Sequence, residues 1–79
     1  MNKYELIRFS KNLVKEYFNR YVVNKENNIK KIRSNSVVLL KYKEGRRYIR
    51  VLLGVPNHNM GYKVTYNKKT EEIETLIIN

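Results

Sequence analysis

Seventy-nine residues carry 17 Lys and Arg against seven Glu, with no Asp, no Cys and one His, for a formal net charge of +10. A chain of this length holds one domain, residues 1–79, and buries only about 60–65% of its unfolded surface in a single core. The composition excludes a disulfide framework, and the longest apolar runs, Val37–Leu40 and Val51–Leu53, fall far short of the roughly 20 residues of a membrane helix.

The first element is an amphipathic helix over about residues 3–23. Leu6, Ile7, Phe9, Leu13, Val14, Tyr17, Phe18 and Tyr21 recur at helical spacing, opposite Glu5, Arg8, Asn12, Lys15, Glu16 and Asn19. Asn2 and Glu5 have the spacing of a capping box, and Glu16 and Arg20 form an i, i+4 pair. Asn24-Lys25-Glu26-Asn27-Asn28 ends the helix. Residues 24–36 are a linker, within which Ile29–Arg33 reads as a loop or a weak edge strand.

From residue 37 the apolar period changes to two, and residues 37–79 read as a β-meander. Val37–Lys43 and Arg46–Val55 form a hairpin around Lys43-Glu44-Gly45-Arg46, where Gly45 is expected to supply a positive φ. Pro56-Asn57-His58-Asn59 is turn chemistry. Gly61–Tyr66 alternates, Asn67-Lys68-Lys69-Thr70 turns, and Glu72–Ile78 closes the sheet. The expected fold class is α+β, one N-terminal amphipathic helix packed on an antiparallel β-meander of about three to five strands.

Alternation then assigns faces. Val38, Leu40 and Tyr42 share one face of the first strand and Val37, Leu39, Lys41 and Lys43 the other. Ile49, Val51, Leu53 and Val55 oppose Tyr48, Arg50, Leu52 and Gly54, while Tyr62, Val64 and Tyr66 oppose Lys63 and Thr65. Turning the apolar sets inward leaves Lys41, Lys43, Arg50 and Lys63 outward, with Arg46 and Arg47 at the hairpin tip and Tyr48 among them. Of the seven tyrosines, Tyr17, Tyr21, Tyr42, Tyr62 and Tyr66 fall at core or boundary positions. Tyr48 is the one placed to contact bases or sugars.

Charge is distributed unevenly. Residues 29–50 hold eight bases against Glu44 alone, and the last ten residues hold three Glu and no base. A concentrated positive region attracts polyanions, and exposed bases release counterions from phosphates. The expected function is non-enzymatic nucleic-acid binding through Lys41, Lys43, Arg46, Arg47, Tyr48, Arg50 and Lys63. A second cluster, Lys30, Lys31 and Arg33, would act as a basic arm.

The alternative is a small inhibitor or adaptor that docks on an acidic protein or a nucleoprotein. Its Lys-, Asn-, Ile- and Tyr-rich composition suits an AT-rich mobile element carrying an anti-defence protein. Leu39 and Leu52, assigned to the outer face, would form an apolar spot for a protein partner or for a second copy of the chain. A metal-free ribonuclease toxin using His58 as base is the least favoured reading, since size, charge and class are its sole support. No metal or cofactor site is expected, because neither a ligand set nor a phosphate-cradling glycine loop is present. No secretory signal is read at the N-terminus, and the absence of cysteine points to the cytoplasm.

Overall fold

A computed structural model describes residues 1–23, 30–56 and 58–78. The capping box forms as its spacing predicts. The Glu5 backbone N–H donates to Asn2 Oδ1 at 2.9 Å, and the Asn2 N–H donates to Glu5 Oε1 at 3.3 Å. These bonds satisfy donors that would otherwise be orphaned at the start of helix α1, Lys3–Tyr17. Leu6, Ser10, Val14 and Phe18, each four residues apart, form its buried ridge, flanked by Leu13 and Tyr17. Phe9 and Tyr21, expected on that face, remain 40% and 45% exposed. The ridge is one side chain wide, and these two lie beyond the strip of sheet it covers.

The expected helix over 3–23 is continuous but changes character. After Tyr17 the backbone widens into a π-helical turn, Phe18–Val23. Asn19 on this turn clamps the returning chain, accepting from the Ile32 N–H at 2.8 Å and donating through Nδ2 to the Ile32 carbonyl at 3.0 Å. A side-chain amide thus occupies both hydrogen-bonding groups of Ile32, and residues 30–33 form a loop rather than an edge strand. The part of that expectation on residues 24–29 lies outside the described residues. A single 3₁₀ turn, Ser34–Ser36, leads into the sheet.

Four antiparallel strands follow in meander order: β1 Val38–Glu44, β2 Tyr48–Gly54, β3 Gly61–Asn67 and β4 Ile73–Ile78. The helix and this sheet make the α+β arrangement that the change of period implies. Ile49, Val51 and Leu53 of β2 and Tyr62, Val64 and Tyr66 of β3 face the helix and are buried, joined by Val37 and Val55. Burying an aliphatic side chain of this size stabilises by about 1.5–3 kcal/mol, so these central strands dominate the core. Lys3 at the helix start lies 4.9 Å from the Tyr42 ring centre on β1, while Phe18 beyond its end packs edge-on to His58 at 4.8 Å. The helix therefore begins near the β1–β2 hairpin tip and ends near the β2–β3 turn.

The turns depart from expectation at Gly45. None of the described glycines has a positive φ. Gly45 sits against a close carbonyl instead: its N–H donates to the Tyr48 carbonyl at 2.8 Å, and an added Cβ would stand 3.3 Å from that same oxygen, a tight contact. The positive φ falls on Glu71, at 62°, in the β3–β4 turn. There Asn67 Oδ1 accepts from the Lys69 and Thr70 N–H groups, and the Glu71 N–H donates to the Asn67 carbonyl at 2.7 Å. The left-handed conformation costs a non-glycine residue about 1 kcal/mol or more.

Two buried hydroxyls, Ser10 Oγ and Tyr62 Oη, have no hydrogen-bond partner among the described residues. Burial, with the neighbouring Tyr17 adding to it, pushes the Tyr62 phenol above its ordinary value of 10.0.

Two outcomes are expected. Glu71→Gly should relieve the turn and stabilise by about 1 kcal/mol, seen as a melting temperature higher by roughly 4–8 °C; no gain would mean that the turn is unstrained. The unfolded chain ionises Tyr62 before the folded chain does, so this residue lowers stability as pH climbs past its ordinary value of 10.0. Tyr62→Phe should accordingly lose less melting temperature than the wild type between about pH 9 and pH 11, measured by circular dichroism.

Candidate nucleic-acid interface

The composition of the outer face, the one turned away from the helix, is decided by an irregularity in β1. Leu39 pairs with Leu53, but Lys41 pairs with Leu52, so Leu40 is an extra residue opposite no partner. This β-bulge reverses the alternation within the strand. Val37, Leu39 and Tyr42 all turn inward, packed on the core, while Val38, Leu40, Lys41 and Lys43 turn outward. Strict alternation would have forced a choice between Val37 and Tyr42, or carried both lysines into the core with Val37. The expected outward Leu39 is therefore corrected. Leu40 takes its place, 63% exposed, its Cδ1 lying over Gly54, where an added Cβ would approach to 3.2 Å.

Register then lays out the face in rows, since directly opposed residues project to the same side. One row is Val38, Gly54, Gly61 and Ile78; the next is Lys41, Leu52, Lys63 and Leu76; the third is Lys43, Arg50, Thr65 and Glu74. Lys41, Lys43 and Arg50 are exposed and Lys63 is half-buried. Lys43 and Arg50 stand directly opposite one another, a like-charge pairing that destabilises by a few tenths of a kcal/mol or more. Among the described residues the one ion pair is Lys68 with Glu44, at 2.6 Å, so none of these four bases is neutralised by an acid.

That ion pair has a positioning role. The Lys68 N–H donates to the Arg47 carbonyl at 2.8 Å, and its Nζ reaches Glu44. The β3–β4 turn thereby holds both sides of the β1–β2 tip, on which Arg46 and Arg47 are exposed. The hydrogen bond and charge of Lys68 hold the Glu44 carboxyl below its ordinary value.

Tyr48 lies beyond the third row, opposite Asn67, and is 40% exposed. The Arg50 guanidinium is 5.8 Å from its ring centre. The ring also walls a depression of about 270 Å³ shared with Thr65, Asn67, Glu72 and Glu74. The face is consequently graded, with bases on β1, β2 and β3 and the acid Glu74 on β4, and Tyr48 borders the depression it shares with Glu72 and Glu74.

The second basic cluster is not brought to this surface. Lys31 lies in a groove with Glu16, Asn19 and Arg20 at the end of the helix, with Lys30 and Arg33 exposed beside it. It stands toward the end of the molecule opposite the Arg46–Arg47 tip. His58 lies at the Gly54–Gly61 end of the sheet, where it packs on Phe18 and donates its backbone N–H to the Val55 carbonyl at 3.1 Å. The groove around it is lined by Ile32, Asn35, Ser36, Val38, Val55 and Pro56, with no base. Gly54 marks this end of β2, two residues from Leu52 on the row of Lys41 and Lys63 and four residues from Arg50, about 13 Å along the strand.

Sequence alternation missed the apolar end of the same face. Val38, Leu40, Leu76 and Ile78 are 41–63% exposed there, beside half-buried Leu52. Around Gly54 and Gly61, Val38 and Leu40 border a depression of about 400 Å³. The missing signal was the bulge, together with the pairing of β4. Among the described residues no three His, Cys, Asp or Glu side chains cluster as metal ligands would, and no helix is long and apolar enough to cross a membrane. No protein-family model, curated protein or solved structure significantly matches the chain.

Deleting Leu40 should restore strict alternation from Val37 through Lys43 without moving either lysine inward. The deletion variant is expected to keep its fold, with a cooperative melt near that of the wild type. Loss of cooperative unfolding would show that the bulge does more than reconcile the two halves of β1.

Proposed function

We propose that this chain is a non-enzymatic nucleic-acid-binding protein that docks phosphates on the outer face of β1 and β2 and on the hairpin tip. The observation that carries the reading is the unneutralised opposition of Lys43 and Arg50, extended by Lys41, Lys63, Arg46 and Arg47. Such a cluster is self-repelling in the free protein, and a polyanion relieves that repulsion while releasing its own counterions. Glu74 on β4, with Glu72 just before the strand, limits the footprint by repelling phosphate from that side. Tyr48 supplies one aromatic surface at that border, where a base or sugar fits better than a phosphate.

A second reading has its own support in the apolar end of the face. Val38, Leu40, Leu52, Leu76 and Ile78 offer nothing to a phosphate but suit the apolar centre of a protein contact. On this reading the chain is an inhibitor or adaptor that seats its basic half on an acidic protein, or bridges to a nucleoprotein. Salt separates the two readings, because phosphate contacts weaken steeply with ionic strength and apolar contacts do not.

The triple variant Arg46→Ala, Arg47→Ala, Arg50→Ala should bind duplex DNA, single-stranded DNA and RNA less tightly while melting as the wild type does. If all three residues contact duplex phosphates, the slope of log K against log salt should shrink by about 3. Titrations of each nucleic acid at two ionic strengths measure both quantities. Unchanged affinity and slope would remove this face from nucleic-acid binding, and the protein-docking reading would take its place.

A further inference from the structure

Strand β4 closes the sheet on one side, and among the described residues no strand pairs with its free edge. The opposite edge, β1, carries a bulge at Leu40 and the lysines Lys41 and Lys43, devices that discourage pairing between sheets. Strand β4 lacks all of them. It reads Ile-Glu-Thr-Leu-Ile-Ile, without Lys, Arg or Pro, and its register with β3 runs unbroken. Leu76 is 53% exposed on its outer face and Ile77 40% exposed on its inner face. A row of unpaired backbone groups flanked by exposed aliphatic side chains is a template for an extended strand.

Charge indicates which strand. Residues 70–79 carry three Glu and no base, whereas the rest of the chain sums to +13. Two copies repel each other on every basic surface and approach with least opposition along β4. An antiparallel β4–β4 pair related by a two-fold axis keeps both outer faces on one side, so outer residues must oppose outer residues. Two registers then pair five of the six β4 residues, with either Thr75 or Leu76 on the axis. Thr75 on the axis sets Glu74 of each copy opposite Leu76 of the other. Because Leu76 pairs with Lys63 in its own sheet, Glu74 then lies on the partner's Lys63 row, two strand spacings or about 10 Å away. Leu76 on the axis places Glu74 opposite Ile78 instead, off the row of Lys63.

We infer that two copies of this chain associate through β4, antiparallel about a two-fold axis at Thr75, into one continuous eight-stranded sheet with both basic faces on the same side. The association stands independently of the nucleic-acid reading. Salt moves the two in opposite directions, since screening strengthens the meeting of two positive copies and weakens phosphate binding.

The test uses the full chain. Sedimentation equilibrium over a range of protein concentrations should show the 9.6 kDa mass doubling, at lower concentration in high salt than in low salt. The chain has no native cysteine, so Thr75→Cys under mild oxidation should yield a disulfide-linked dimer on a non-reducing gel, because opposed strand residues lie within disulfide reach. Leu76→Glu should abolish the dimer by setting a carboxylate against Glu74 of the other copy, while its opposition to Lys63 within the same sheet preserves the melting temperature. A mass that stays monomeric at both salts overturns the inference. So does a dimer that survives Leu76→Glu, or one that leaves Thr75→Cys unlinked.

Discussion

Lys41 and Lys43 have no place in a core of aliphatic and aromatic side chains, while Val37 and Tyr42 both belong to it. Val37 and Tyr42 are five positions apart, so a regular strand sends them to opposite faces. Leu40 resolves the conflict by occupying a bulge. Without it, either a large side chain is lost from the core or two ammonium groups enter it, and burying a charge without a partner is far more costly than a kink in one strand. The layout of the outer face follows from this one extra residue.

Once the bulge is in place, the remaining register distributes charge by strand. On the outer face β1 and β2 contribute Lys41, Lys43 and Arg50, β3 contributes Lys63 and Thr65, and β4 contributes Glu74. Lys68 is drawn out of that scheme, since its backbone N–H and ammonium group both bind the hairpin tip. One base therefore serves the architecture, while the bases of the outer face have no acidic partner among the described residues. The two sheet edges differ for a related reason. The lysines that make β1 a candidate docking surface also protect it from edge pairing, and the acidic, aliphatic composition of β4 leaves its own edge open.

Much of this was legible along the chain. The capping box depends on two residues three apart and forms as read, because local hydrogen bonds need no tertiary help. The helix, the strands of the meander and the inward sets of β2 and β3 follow from uninterrupted periodicity. Gly45 was legible as a turn residue but for the wrong reason, since it answers a close carbonyl and not a positive φ. The left-handed position at Glu71 gave no warning, because it arises from how Asn67 organises the whole turn. Asn19 read as an ordinary polar residue, and its clamp on Ile32 joins positions 13 apart in sequence.

By itself the amino-acid sequence determined the fold class, the helix start, the positions of the strands along the chain and the concentration of positive charge between residues 29 and 50. These depend on composition, local bonds and periods of a few residues. Tertiary structure alone decided which leucine faces outward, which bases share a surface and which edge of the sheet is left unprotected. A bulge transmits a shift of one residue to every later side chain in its strand, and register is set by pairing between distant segments. Lys30, Lys31 and Arg33 precede Lys41 and Lys43 by only about ten positions, yet the Asn19 clamp ties them to the end of the helix. Proximity along the chain could not have revealed that separation, because it depends on where the helix ends relative to the sheet.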